Sequence, residues 1–251
     1  MYTSVKNHFL EIYFLSYVKY GGLPYLIHLE LADEVVYDYL KNIYNTIVLK
    51  DVVMRHGVRN VNFLERLIEY LADNLGSLIS AKKISDFLKS QQIKIAPNVV
   101  LNYLNFLTAT FLLFKVKRRD VHGKKIFEVS EKYYFEDLGL RHALVGYRQA
   151  DTGKILENLV FLHLKIAGFT VHVGQLGERE VDFVAEKGGK RIYVQVAYLI
   201  PDQKVHEREF GNLLAIKDNH PKYVVSLDEL TGGDYQGIQH LHIRDFLRLV
   251  L

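Results

Sequence analysis

Hydrophobic periodicity along this 251-residue chain shifts from mainly helical to mainly alternating near Gly168, and that shift limits what it can fold into. Before it apolar residues recur mostly every three or four positions, up to a hairpin; beyond it they mostly alternate. The first pattern lines one face of a helix, the second one face of a strand. The expected fold is therefore mixed, α+β passing into α/β. A helical segment covers 1–59, helices and a hairpin cover 60–147, and a separate α/β/α layer covers 148–251.

The first segment breaks at Gly21-Gly22-Leu23-Pro24 and resumes as a helix over 33–54, with Val35, Val36, Tyr39 and Leu40 on one face. In the second, Phe63, Leu64, Leu67, Ile68 and Leu71 mark one helix. Ile84, Phe87 and Leu88 mark another, with Ser80 as its N-cap. Pro97 suits the first turn of a third, whose stripe is Val100, Tyr103, Leu104 and Leu107. Strands over 111–117 and 124–129 follow, joined by the turn Asp120-Val-His-Gly123. Three helices and a hairpin are the order of a winged helix-turn-helix. The last block reads helix (153–167), strands (169–174, 180–186, 191–199), helix (205–216) and strands (222–227, 239–243).

The last block carries the chemistry. On a strand Glu180, Asp182 and Val184 share a face, as do Arg191, Tyr193, Gln195 and Ala197 on the next. Val181 and Phe183, with Ile192, Val194, Val196 and Tyr198, form the apolar faces, and the hairpin sets Asp182 beside Gln195. Glu157 interrupts a stripe of Val160, Phe161 and Leu164. A carboxylate there either points into a polar site or lies at the border of the stripe in solvent. Phosphodiester hydrolysis needs hard oxygen ligands for Mg²⁺ and a cation for the transition state. Where a second acid and a lysine would serve, this strand has Gln195 and Ala197; Arg208 or Lys165 are the cations that could approach from elsewhere.

Composition limits the rest. With 49% hydrophobic and 24% charged residues a sizeable core can form. A net charge of +3 permits nucleic acid without demanding it. The absence of cysteine excludes disulfides and thiolate metal sites. No signal peptide is read, and the most apolar run, 99–114, is too short and polar to span a bilayer, so a cytoplasmic protein without a membrane partner is expected.

Several stretches together resemble the C-terminal part of a large bacterial and archaeal group of predicted AAA-type ATPases. They are YGGLP at 20–24, KYYFEDLGLRHAL at 132–144, GKILENLVFLHL at 153–164, EVDFV at 180–184, IYVQVAY at 192–198, EREFGNLLAIKDNHPKYVVSLD at 207–228 and IRDFL at 243–247. The resemblance covers essentially the whole chain. It implies a winged helix followed by a restriction-endonuclease-like region of the PD-(D/E)xK kind. Carried over, Glu157 matches the first-helix acid, Asp182 the strand aspartate and Gln195 the strand acid, while Ala197 stands in the lysine position. The site is thus expected to be degenerate and non-catalytic. No cofactor is expected, and any retained metal would be Mg²⁺ at Asp182. The alternative is an active nuclease whose basic residue is displaced, with Arg208 as the candidate. No G-x-x-x-x-G-K-[ST] occurs, so the phosphate cradle of an ATPase is absent from these residues.

Candidate partners are DNA, an ATPase domain or another protein. The hairpin carries Lys115, Lys117, Arg118, Arg119, Lys124 and Lys125, suited to a phosphate backbone or simply to solvent. Asn98, Asn102 and Asn105 lie on the outer face of the third helix without a basic neighbour; a solvated face competes with base reading there. His240 and His242 alternate on one strand and fall short of a metal set.

Overall fold

The helical periodicity resolves into α1 (Tyr2–Tyr20), α2 (Asp33–Thr46), α3 (Val61–Asp73), α4 (Ala81–Ser90), α5 (Pro97–Ala109) and α6 (Leu138–Val145). A computed structural model describes residues 2–122, 126–229, 231 and 233–251, without the side chains of 2–10, 49 and 127–129. The helix expected over 33–54 is α only to Thr46 and continues as a wider π turn over Ile47–Met54. Its buried positions are Val36, Leu40, Tyr44, Val48 and Val52, one every four residues. An α-helix turns once in 3.6 residues, so such a stripe rotates away; the wider turn brings it back. This also explains why Val35 is exposed. Asn60 caps α3 by accepting from the Phe63 N–H at 2.9 Å. Pro97 opens α5, and Val100, Tyr103, Leu104 and Leu107 are buried as their spacing requires. Phe87 of the α4 stripe stays half out in solvent against the Tyr70 ring.

One carboxylate joins two of the quoted stretches. Asp137 caps α6, its Oδ1 accepting from the Leu140 N–H at 2.9 Å. Its Oδ2 accepts from the Gly22 N–H at 2.7 Å. Gly21 has φ +80°, which ends α1 and leaves no room for a side chain beside Asp137. At Gly139 a Cβ would stand 2.0 Å from the Tyr20 carbonyl oxygen. Nearby, Arg141 is fully buried and donates to the Ala72 carbonyl at 3.0 Å.

The remaining elements are β1 (Leu113–Asp120), β2 (Ile126–Phe135), α7 (Thr152–Ile166), β3 (Thr170–Leu176), β4 (Arg179–Lys187), β5 (Lys190–Val196), α8 (Gln203–Leu214), β6 (Lys222–Ser226), β7 (Gly233–Tyr235), β8 (Ile238–His242) and α9 (Ile243–Phe246). They build one eight-stranded mixed sheet ordered β2-β1-β3-β4-β5-β6-β8-β7. Phe183 touches Phe161 of α7, while its neighbour Val184 packs with Phe210 and Leu213 of α8. Adjacent strand residues face opposite ways, so α7 and α8 cover opposite faces. The result is an α/β/α arrangement preceded by a helical region, as the periodicity requires.

The division into compact units differs from the expected borders at 59/60 and 147/148. One unit comprises residues through Ser77, Ala81–Phe114 and Phe135–Gln149; the other comprises Leu78–Ser80, Lys115–Tyr134 and Ala150–Leu251. The reason is strand pairing. β1 runs parallel to β3, with Arg118 opposite Val173 and Arg119 opposite Gly174. The hairpin is therefore part of the large sheet rather than a free-standing wing. Among the described residues no helix is long and apolar enough to cross a membrane.

The junction at Gly139 gives a stability test. Gly139→Ala should cost about 1–3 kcal/mol by overpacking against the Tyr20 carbonyl. Gly211→Ala, where a Cβ meets nothing within 4 Å, should be neutral or slightly stabilising because Ala suits a helix better. Urea denaturation of the two variants compares them directly, and equal midpoints would contradict the steric account.

Candidate functional site

Strand β2 carries the residue that organises the site. The strand expected to stop at Val129 continues to Phe135 and includes Lys132. Tyr133, Tyr134 and Phe135 are buried and take the lysine in with them. Its side chain is 4% exposed, and Nζ lies 2.8 Å from Glu157 Oε1, 2.7 Å from Glu180 Oε1 and 3.4 Å from Asp182 Oδ1. Glu157 comes from α7; Glu180 and Asp182 come from β4. Tyr134, two residues along the strand, donates its hydroxyl to the same Glu157 oxygen at 2.6 Å. Its ring stacks on Phe161, one turn beyond Glu157, with centroids 4.6 Å apart. Period-two spacing on β2 meets i,i+4 spacing on α7, so a polar tier lies over an aromatic one.

Burying an ammonium costs several kcal/mol unless charges surround it. Burial pulls the Lys132 pKa down, but Glu157, Asp182 and Glu180 outweigh it and the net shift is upward, so this lysine stays cationic. Three carboxylates around one ammonium leave negative charge in excess. Glu157 bears the consequence: burial, opposed by Lys132 and reinforced by Asp182, pushes its carboxyl up to about 7. Burial, and then Glu157, hold the Tyr134 phenol well above its ordinary range, so it donates as a neutral group.

Asp182 sits at an irregularity in β4. His172 pairs with Val184 but Gly174 with Val181, so β4 has one residue more than β3 between those pairs. Such a bulge inverts the alternation. Val181 joins Val184, Tyr193, Phe210 and Leu213 in the core under α8. Phe183 instead faces Tyr134 and Phe161, on the Lys132 side. The expected grouping of Val181 with Phe183, and of Asp182 with Val184, is corrected by that extra residue.

The expected convergence of Asp182 and Gln195 is corrected as well. The β4–β5 ladder ends at Phe183–Val194. Beyond it Asp182 Oδ2 accepts from the Val196 N–H at 2.9 Å, and the Asp182 N–H points at Gln195 Oε1 at 3.4 Å. The Gln195 amide donates to Glu209 Oε2 of α8 at 3.0 Å. The two residues are neighbours, but one side chain turns to Lys132 and the other to Glu209. Arg208, 68% exposed, donates to Glu209 Oε1 and not to the acids around Lys132. Ala197 is buried, with its N–H on the Val225 carbonyl.

Mg²⁺ needs oxygen ligands at about 2.0–2.1 Å in near-octahedral order. Here Lys132 Nζ stands among the carboxylates and Gln195 Oε1 faces a backbone N–H, an arrangement that does not fit the ion. Among the described residues no group of three or more His, Asp or Glu side chains is arranged to hold a metal. Lys132 and Glu209 are the residues that sequence reasoning missed. The signal for Lys132 is a lone lysine directly before Tyr-Tyr-Phe; Glu209 carries no comparable signal.

The other candidates disperse. Arg118 donates to the Ser130 carbonyl at 3.1 Å and to Gln175 Oε1 at 3.3 Å. Arg119 is ion-paired with Glu186, and Lys117 is exposed. Lys124 and Lys125 lie outside the described residues. Asn98, Asn102 and Asn105 are exposed on α5. His240 Nε2 lies 2.8 Å from Ser226 Oγ, and His242 Nδ1 caps α9 by accepting from the Arg244 N–H at 3.1 Å.

Fold and site thus define a mixed α/β protein whose sheet buries a lysine among carboxylates. The chain belongs to a family described as Domain of unknown function (DUF8612), which matches residues 12–151. The match takes in Lys132 and Tyr134 and stops short of Glu157, Glu180 and Asp182. An uncharacterized protein of Haemophilus influenzae is 35% identical over 243 residues, which is 96% of this chain and 59% of that protein. An uncharacterized protein of Methanocaldococcus jannaschii is 28% identical over 224 residues, 86% of this chain and 49% of that protein. The chain thus spans about half to three fifths of the length of these relatives. No solved structure matches it.

Two outcomes are expected. Lys132→Met leaves the largely buried Glu157 and Asp182 and the partly exposed Glu180 uncompensated and should cost about 3–5 kcal/mol at pH 7.5. The loss should shrink in acid or with millimolar Mn²⁺; urea melts read both. For Glu157 the folded pKa is raised, so its stabilising proton is fully held below the unfolded value of 4.5 and released as pH rises to about 7. Wild-type stability should therefore fall across that window relative to Glu157→Gln, measured by melts at pH 5 and 7.5.

Proposed function

We propose that this chain is the C-terminal region of a predicted AAA-type ATPase of the cytoplasm, a winged-helix and nuclease-like module that faces nucleic acid and does not cleave it. The observation that carries the non-cleaving reading is the position of Lys132. Its ammonium stands within 2.7–3.4 Å of all three acids, where a hydrolytic site would need a divalent cation. An internal cation partly compensates the cage without supplying a Lewis acid or activating water. Gln195 and Ala197 in the acid and lysine positions support the same reading.

Three helices before a hairpin support the winged-helix assignment, and the α/β/α order supports the nuclease-like one. The ATPase context rests on the resemblance of the quoted motifs; the greater length of the relatives leaves room for an ATP-binding domain. Ile12, Tyr13, Leu15, Tyr25 and Ile27 are exposed apolar side chains close together in sequence, suited to docking such a domain or a partner protein.

A second reading is favoured by one fact: Lys132 does deliver a lysine to Glu157 and Asp182, from a strand other than the expected one. That is the arrangement of a nuclease with a displaced basic residue. Incubation with plasmid, single-stranded DNA and RNA in Mg²⁺ or Mn²⁺ separates the readings. The proposal expects no cleavage. Cleavage by the wild type that disappears in both Asp182→Ala and Lys132→Ala would establish the nuclease instead.

A further inference from the structure

The sheet face under α8 is apolar only as far as the helix reaches. Val121, Val184 and Tyr193 form its floor with Phe210 and Leu213. A Cβ on Gly174 would meet Val121, Val181 and Val184, which places that glycine on the same floor. Two residues further along these four strands, on the same face, come Arg119, His172, Glu186 and Arg191. The apolar floor thus gives way to a charged row running β1-β3-β4-β5. Lys117 extends it along β1.

Glu186 holds the row in place. It is ion-paired with Arg119 and accepts from Arg191 Nε at 2.8 Å and Nη2 at 2.6 Å. Burial alone would raise the Glu186 carboxyl; the two arginines outweigh it and hold it below its ordinary value. Burial first, then Arg119, lower the His172 pKa, Glu186 opposes them and Lys117 adds to the lowering. At the β5 end the row opens into a cleft of about 560 Å³ lined by Thr170, Glu186, Arg191 and His220 and by Lys187 and Lys190 of the β4–β5 turn. Lys187 donates to the Ala167 carbonyl at 2.7 Å, and Lys190 is exposed. The nearby Asp218 is paired with Lys222 at 3.1 Å. Among the described residues, Lys117, Arg119 and Arg191 thus share this face with the carboxylate Glu186, while Lys187 and Lys190, which alternate with Glu186 and Arg191, reach the cleft rim from the other face.

We propose that this row and cleft bind the sugar-phosphate backbone of a nucleic acid. The carboxylate holds the two guanidinium groups on either side of it and leaves their surroundings positive, which suits phosphate oxygens. Measured across the strands, three spacings of about 4.8 Å carry the row over roughly 14 Å, and its oblique register, with Arg119 opposite Gly174 and Glu186 opposite Thr170, lengthens it along them. Phosphates follow one another every ~3.4 Å of axis along one strand of a duplex. The row thus matches several successive phosphates rather than one small anion. It is a surface of the hairpin and the large sheet together, distinct from the acids around Lys132. The inference rests on the nucleic-acid-facing reading above and names the surface and the chemistry it recognises.

The test is fluorescence anisotropy of the full chain with a labelled DNA duplex between 50 and 200 mM salt. Lys117→Glu with Lys190→Glu changes two exposed positions and spares the Glu186 clamp. It should weaken binding by at least about tenfold and flatten the salt dependence by about one unit of slope per lost contact. Lys204→Glu with Lys89→Glu reverses the same charge elsewhere and should bind nearly as the wild type does. Undiminished binding by the first pair overturns this surface and leaves the nucleic-acid reading standing. Equal loss in both pairs also overturns it, as general charge. No wild-type binding at 50 mM salt overturns both the surface and the nucleic-acid reading. Polyglutamate competing as well as the duplex would mark an acidic protein as the partner and overturn the proposal.

Discussion

The ammonium of Lys132 is the contact on which the α7 side of the sheet depends. It joins β2, α7 and β4 at one buried point, and each element brings a group that could not be buried alone. Lysine and carboxylate are each costly to desolvate, and removing one partner strands the others. With three acids around one base, Glu157 is left poised near neutrality instead of firmly ionised. Tyr134 adds a neutral hydrogen bond, and its ring on Phe161 seals the apolar tier beside the charges. Lys132 takes the place between the acids, which is why the same geometry is poor ground for metal-assisted hydrolysis.

A single extra residue in β4 decides which side chains reach that point. Without the bulge, Asp182 and Gln195 would share a face, and Phe183 would lie with Val181. With it, Asp182 turns to Lys132 while Gln195 serves Glu209 on the α8 side, and the two polar clusters meet through the Asp182 N–H and the Gln195 carbonyl. The sheet thereby keeps an apolar core under α8 and a charged pocket under α7. The resemblance to the nuclease fold concerns the positions of Glu157 and Asp182. The chemistry here is set by what stands between them.

In the helical unit the comparable constraint is Asp137. Its two oxygens take the N–H groups of Leu140 and Gly22, so the start of α6 is fastened to the end of α1. Only glycine fits at 21 and at 139, because Asp137 and the Tyr20 carbonyl fill the space a side chain would need. Two motifs more than a hundred residues apart are therefore one structural device.

Local pattern was enough for much of this. The spacing of Phe63 to Leu71 and of Val100 to Leu107, the proline opening α5 and the alternation after Gly168 specify helices and strands, since those periods are properties of neighbouring residues. The same pattern brought Glu157 and Asp182 forward as the acids of a site. It could not reveal that β1 pairs with β3, that β4 holds one residue too many, or that the cation comes from Lys132. Strand pairing, register and charge compensation join residues far apart in the chain, and the burial that makes an ion pair necessary exists only once the sheet has formed. The sequence by itself determined the elements and which of them carry acids; the tertiary structure alone decided that a buried lysine answers those acids.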